Sequence, residues 1–192
     1  ETADRKQQQQ ESRDALEQDV EVGRRVLALE AAGLRALGES LGASFGAALD
    51  LLAAVDNRVV VSGMGKSGHV GNKLAATLAS TGTPAQFVHP AEASHGDLGM
   101  ITDKDAVIAL SNSGKTAELG DVLAHCARFS IPLIGITSQP DSTLAKTADV
   151  PLLLPAAAEA CPMGLAPTTS TTMMLALGDA LAVALLERKG FS

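Results

Sequence analysis

Four stretches of the sequence concentrate side chains able to do chemistry. SGMGKSGHVG (62–71) follows the apolar run RVVV and sets Lys66 among glycines and serines. SNSGKT (111–116) places three hydroxyls, Ser111, Ser113 and Thr116, around a glycine. HPAEASHGDLG (89–99) gathers His89, His95, Glu92 and Asp97 in one Gly-containing loop. AEACPMGLAPTTSTT (158–172) carries Glu159 on a Pro-containing approach to a helix. Gly/Ser-rich turns ahead of helices suit an anion, because backbone N–H groups converge there. Carboxylates and imidazoles suit proton transfer.

The first stretch can be read three ways. Gly63, Gly65 and Gly68 spell a dinucleotide fingerprint, which also requires an acid at the end of the second strand to hold a ribose. No Asp or Glu lies between Gly63 and Thr83, and that strand ends in Val88-His89. A P-loop requires Gly five residues before its Gly-Lys pair. Val60 stands there for Lys66, and Ala109 for Lys115. A smaller phosphate fits better. Three hydroxyls and the N–H groups of a helix start make a compact cradle for one terminal phosphate. Helix capping alone accounts for one hydroxyl, not three around a glycine. By residue type alone, Glu159 also fits a solvated loop carboxylate, and His95 a loop-bracing imidazole. His125, beside Cys126 in a predicted helix, reads as a surface or core-edge residue.

The elements that must position these loops follow from periodicity. From Ala15 to Val55 there is no Pro, and Leu16, Val20, Leu27, Leu34 and Leu41 keep a roughly seven-residue stripe. The pattern predicts two helices divided near Gly38 to Gly42, packing on their own domain or on another subunit. From Arg58 onward, short apolar strands alternate with helices. Strands are predicted at 58–62, 84–89, 105–111, 132–138 and 150–155. Helices are predicted through Ala79, over 117–129, around 142–147 and over 169–188. Continuous apolar strands separated by helices argue for a parallel sheet buried on both faces. Right-handed crossovers then bring the turns after strands one and three to one edge. The expected fold is α/β, a three-layer α/β/α sandwich with a five-stranded parallel sheet preceded by helices.

Composition narrows the partners. The chain has 192 residues and 15 basic against 22 acidic side chains, a net charge of −7. That balance disfavours broad contact with nucleic acid or anionic membrane. Without Trp or Tyr, and with four Phe, platforms for stacking bases are scarce. The two cysteines, Cys126 and Cys161, lack metal-type spacing and suit a reducing cytoplasm. The longest apolar tract, 173–186, is interrupted by Gly178-Asp179 and reads as too short for a bilayer.

Three segments together resemble the sugar isomerase (SIS) fold, flavodoxin-like in type, and specifically the bacterial D-arabinose 5-phosphate isomerases. They are GMGKSGHVGNKLAATLASTGTPAQFVHPAEASHGDLGM (63–100), SNSGKTAE (111–118) and EACPMGLAPTTSTT (159–172), continuing through LGDALAVALLERKGF (177–191). The match runs from about Val59 to the end. It divides the chain into a helical arm, 1–55, and a phosphosugar domain, 56–192. The resemblance implies interconversion of D-arabinose 5-phosphate and D-ribulose 5-phosphate, the entry to the Kdo sugar of lipopolysaccharide or capsule. It also implies a cytoplasmic homotetramer with sites at subunit boundaries, and no cofactor.

Carried over by position, the resemblance implies catalytic roles for Lys66, His95, Glu118 and Glu159. It implies substrate or phosphate contacts at Gly65, Ser67, Gly82, Thr83, His89, Ser111, Asn112, Ser113 and Thr116, with His89 also the site of an inhibitory zinc. A further family histidine lies in a segment like SHPGG beyond the final GF, and this sequence stops at Ser192. The paired CBS domains of many members are not in this sequence. The chain is thus either a naturally single-domain form or a trimmed one, and a first residue of Glu rather than Met leans toward trimming or tag removal. Two rival functions share the fold: a non-catalytic phosphosugar sensor, and an isomerase of another sugar phosphate. The sensor class needs a DNA-binding module, and the amino-terminal helices show no basic helix-turn-helix character.

Overall fold

Five apolar runs pair into one parallel sheet in a computed structural model that describes residues 2–190. The strands are β1 (Val59–Gly63), β2 (Ala85–Phe87), β3 (Ala106–Leu110), β4 (Leu133–Thr137) and β5 (Val150–Leu153). Their spatial order is β2-β1-β3-β4-β5, with every pairing parallel. β1, β3 and β4 are buried along their whole length, as strands covered on both faces must be.

Alternation of side chains sorts the core into two layers. One face is covered by α1 (Thr2–Ser40), α2 (Ala43–Ala53), α3 (Gly65–Ser80) and α7 (Thr169–Arg188), packed on Val59, Val61, Ile108 and Ile136. The other carries α4 (Pro90–Ser94), α5 (Gly120–Phe129) and α6 (Thr143–Thr147), packed on Val60, Val107 and Leu133. This is the expected three-layer α/β/α sandwich with helices ahead of it. The chain turns one way from β1 to β2 and the other way to β3, so a crevice opens between the carboxyl ends of β1 and β3. Gly63 pairs with Leu110, and the loops that follow leave the sheet at the same level.

At the opposite edge a buried carboxylate fixes the start of β3. Asp105 accepts from Thr102 N–H (2.7 Å), Thr102 Oγ1 (2.9 Å) and Asn57 Nδ2 (2.8 Å). Arg58 Nε lies 3.6 Å from it. These partners offset the cost of burying the charge.

The break between α1 and α2 falls at Leu41-Gly42, inside the span predicted for it. Only the last part of α1 packs on its own domain: Leu37 is buried, and Gly33 faces Thr169. Leu16, Val20, Leu27, Leu34 and Leu41 of the stripe are exposed. The apolar tract predicted to be too short for a bilayer belongs to α7, a helix of 20 residues that meets the length and hydropathy of a span. Half of that stretch is buried beneath α1 and α3, as befits the central helix of a layer. Two local departures affect the loops. The helix predicted over 117–129 divides into a 3₁₀ turn, Ala117–Leu119, and then α5. Within 89–99 the structure adds α4, started by Pro90 at its first position.

Candidate active site

The loop after β3 is tied down from below. The Asn112 carbonyl accepts from Ser138 N–H (3.1 Å), Ser138 Oγ (2.9 Å) and Thr137 Oγ1 (3.1 Å), all at the end of β4. Leu144 N–H donates to the Gly114 carbonyl at 3.0 Å. Gly114 has φ +61, and a Cβ there would stand 2.0 Å from Ser142 Oγ. Only glycine satisfies both the turn and the close approach.

Held this way, the three hydroxyls meet. Ser111 Oγ lies 2.7 Å from Thr116 Oγ1 and 3.5 Å from Ser113 Oγ. Gly114 N–H donates to Ser111 Oγ (3.0 Å), and Lys115 N–H to Ser113 Oγ (3.3 Å). Thr116 precedes the 3₁₀ turn without capping it. An anion with several acceptor oxygens can replace these internal bonds with stronger, charge-assisted ones.

Beside this loop, after β1, Gly65, Lys66 and Ser67 form the first turn of α3. Lys66 is exposed and has no polar partner among the described residues. Ser67 is half-buried against Met174.

Glu159 is the most constrained acidic group at this edge. One oxygen, Oε2, accepts from Thr168 N–H (2.7 Å), Thr168 Oγ1 (2.9 Å) and Ser170 N–H (3.3 Å). The Thr168 hydroxyl in turn accepts from Ala160 N–H at 2.8 Å. Burial pulls the Glu159 pKa up, but the polar groups of Ser170 and Thr168 outweigh it and hold the carboxyl below its ordinary value. Glu159 lines a pocket of ≈ 240 Å³ with Asn112, Ser138, Gln139, Ser170 and Met173. The pocket sets the carboxylate near Asn112 of the hydroxyl loop, while Ser111, Ser113 and Thr116 lie outside its lining.

The other predicted residues are spread more widely. Glu118 is exposed in the 3₁₀ turn directly after the hydroxyl loop. His95 is exposed at the end of α4, which packs against that turn. His89 is half-buried, its Nδ1 accepting from Ala91 N–H at 3.3 Å and its ring edge-on to Phe87. Among the described residues, no group of three or more His, Cys, Asp or Glu could hold a metal. Gly82 and Thr83 are not brought to this edge. They precede the amino end of β2, where Lys189 Nζ contacts Gly82 O (3.3 Å) and Thr83 Oγ1 (3.0 Å). His125 bonds the Ile101 carbonyl at 3.0 Å, a bracing contact on the other face. Sequence reading missed Thr168 and Ser170. The run of hydroxyls at 168–172, at the predicted start of the last helix, was the available signal.

A switch-point crevice, a hydroxyl loop and a clamped carboxylate lie along one edge of the sheet. The SIS domain model matches residues 52–184. The chain belongs to the SIS-domain family. Within that family it is 58% identical over 168 residues to arabinose 5-phosphate isomerase KdsD of Pseudomonas aeruginosa, covering 88% of this chain and 52% of that protein. It is 52% identical over 172 residues to KdsD of Escherichia coli K12, covering 90% of this chain and 52% of that protein. This SIS chain thus spans about half the length of the curated relatives it matches. Among solved structures it is similar to the c3406 protein of E. coli CFT073 in complex with arabinose 5-phosphate, at 40% identity and a TM-score of 0.87. That alignment covers 90% of this chain and 92% of the other.

Proposed function

We propose that this SIS domain is an aldose–ketose isomerase that interconverts D-arabinose 5-phosphate and D-ribulose 5-phosphate through an enediol. The observation that carries the reading is the pocket shared by Asn112 of the hydroxyl loop and Glu159. It sets the proposed base beside a residue of the loop that would hold the phosphate. The identity to KdsD proteins, and to a structure holding arabinose 5-phosphate, supports the choice of sugar.

In the proposed mechanism, Ser111, Ser113, Thr116 and the N–H groups of their loop hold the phosphate. Asn112, Gly65 and Ser67 line the path from it. Binding energy from the phosphate then fixes C1 and C2 against the carboxylate. Glu159 takes the C2 proton of the aldose, and the C1 oxygen becomes the enediolate oxygen. Lys66 stabilises that charge. His95 carries a proton from O2 to O1, and the proton held by Glu159 passes to C1, completing the ketose. Glu118 orients Lys66 or shares the proton transfers. Glu159 is fully ionised near neutral pH, and a substrate that excludes water from the pocket raises its basicity.

Gly82 and Thr83 lie at the far edge of the chain, so in this reading they reach substrate only across a boundary between subunits of a homotetramer. His89 would serve the same site and take an inhibitory zinc. The reaction proposed needs no cofactor, and its product would enter Kdo synthesis in the cytoplasm. Proton NMR of ribulose 5-phosphate with the protein in D₂O tests the reading. Deuterium at C2 of newly formed arabinose 5-phosphate is the expected result. Saturable binding without exchange identifies a phosphosugar sensor instead, and exchange only with a different sugar phosphate identifies another isomerase.

A further inference from the structure

Ser170 occupies the second position of α7 and is only 4% exposed. Its Oγ is buried and makes no hydrogen bond of full geometry among the described residues. A serine near a helix start ordinarily bonds a carbonyl one turn back or caps the helix. This one does neither. Leaving a buried hydroxyl unsatisfied is costly, so such a group calls for an explanation.

Its surroundings supply one. Ser170 lines the ≈ 240 Å³ pocket with Glu159 and Asn112. Its own N–H is bonded to Glu159 Oε2 at 3.3 Å, which fixes the serine relative to the carboxylate. The hydroxyl is near enough to Glu159 to help hold its carboxyl below the ordinary pKa, yet it is not locked to it. On the loop side, Asn112 Oδ1 is also buried without a partner. Two buried polar atoms on residues that line one pocket, Ser170 Oγ held only loosely to Glu159 and Asn112 Oδ1 without a partner, match a ligand rich in hydroxyls, not an apolar one. The amino end of a 20-residue helix adds a positive field at the same place.

We propose that Ser170 Oγ is a substrate-contacting catalytic group, donating to the sugar oxygen that becomes the enediolate oxygen beside Glu159, while Asn112 Oδ1 accepts from a hydroxyl nearer the phosphate. This rests on the isomerase reading above and adds a residue to it. The hydroxyl can turn from the carboxylate to the substrate by giving up only its interaction with Glu159, since no other group among the described residues bonds it.

That freedom makes the test sharp. In Ser170→Ala the backbone N–H to Glu159 remains, so the melting temperature should stay close to that of the wild type. Turnover of arabinose 5-phosphate should fall about a hundredfold to a thousandfold in kcat, as when one oxyanion donor is removed. KM should move much less, the mark of an interaction made in the transition state. Unchanged kcat in a folded variant overturns the proposal. So does a lowered melting temperature with full turnover per folded molecule, which assigns the hydroxyl a structural role. If the wild type itself exchanges no proton, the isomerase reading has failed separately. Titration of ribulose 5-phosphate then decides the contact: weaker binding by Ser170→Ala retains it, and equal binding ends it.

Discussion

Thr168 holds one oxygen of Glu159 twice, through its N–H at 2.7 Å and its hydroxyl at 2.9 Å. A carboxylate clamped through Oε2 presents Oε1 in a fixed direction. Thr168→Val removes the hydroxyl bond and also the acceptor for Ala160 N–H. The expected loss is about 1–2 kcal/mol of stability and ~10–100-fold in kcat from misplacement of the base. The pH profile separates clamp from base. Glu159 is held below its ordinary pKa, so its favourable ionised contacts are present above the unfolded pKa and vanish as pH falls through the lower folded value. Losing a donor to the charged form raises the folded value. The acid limb of kcat/KM in Thr168→Val should therefore lie at higher pH than in the wild type.

Glu159→Gln keeps the size and hydrogen-bonding capacity of the side chain but cannot take a proton. Turnover should fall by ~10²–10⁴-fold, while ribulose 5-phosphate still binds, because the hydroxyl loop is untouched. Steady-state kinetics and a binding titration on one preparation check both halves. Near-wild-type turnover would place the base elsewhere.

Gly114 and Gly65 share a left-handed backbone, with φ of +61 and +58, yet their surroundings differ. A Cβ on Gly114 would meet Ser142 Oγ at 2.0 Å and Thr137 Oγ1 at 2.8 Å. Ser142 cannot swing away cheaply, because its hydroxyl donates to the Gln139 carbonyl (2.7 Å) and caps α6 through Ala145 N–H (3.2 Å). A Cβ on Gly65 meets nothing within 4 Å. Gly114→Ala should cost about 3–4 kcal/mol from strain and overpacking together, and Gly65→Ala about 1 kcal/mol from strain alone. Urea denaturation of the two variants measures the contrast. Similar losses would mean that the clash at Gly114 relaxes.

The strands were legible because parallel-sheet strands buried on both faces are unbroken apolar runs. VVV at 59–61 and AVIAL at 106–110 have no competing helical period, and the last helix was read to both ends, Thr169–Arg188. The hydroxyl loop was equally plain, since Ser111, Ser113 and Thr116 are close in sequence as well as in space. What sequence could not show was partnership across a gap. Glu159 is defined by Thr168 and Ser170, nine and eleven residues on, through a loop with no periodicity. The separation of Gly82 and Thr83 from the carboxyl edge was hidden for a related reason. Both follow the end of α3, and one helix length carries the chain from one edge of the sheet to the other.

Lys66 is an exposed cation on the first turn of α3, without a polar partner among the described residues. Nothing in the fold needs its charge. Lys66→Met preserves the stem and should change stability by less than about 0.5 kcal/mol, as for other surface substitutions. If it stabilises the enediolate, kcat should drop by ~10²–10³-fold with the melting temperature unchanged. Parallel thermal melts and initial rates decide the point. A variant with full turnover would assign Lys66 to the solvated surface.

The two cysteines should react very differently. Cys126 lies on the buried face of α5, and burial, reinforced by the charge of Asp149, pushes its pKa up to about 12. Its thiolate fraction at pH 8 is then on the order of 10⁻⁴, and access is blocked as well. Cys161 sits in the loop between Glu159 and α7. The backbone N–H groups of Ala166, Met163, Leu165 and Gly164 hold its thiol below the ordinary value despite some desolvation. Iodoacetamide at pH 8 should add one alkyl group, and peptide mapping should place it on Cys161. Cys126 should label only when urea opens the core. Because the labelled loop carries Glu159 and Thr168, alkylation should also lower turnover, and Cys161→Ser should abolish both the labelling and the inactivation. Labelling of Cys126 in the native protein would show that the core beneath α5 opens far more readily than its packing allows.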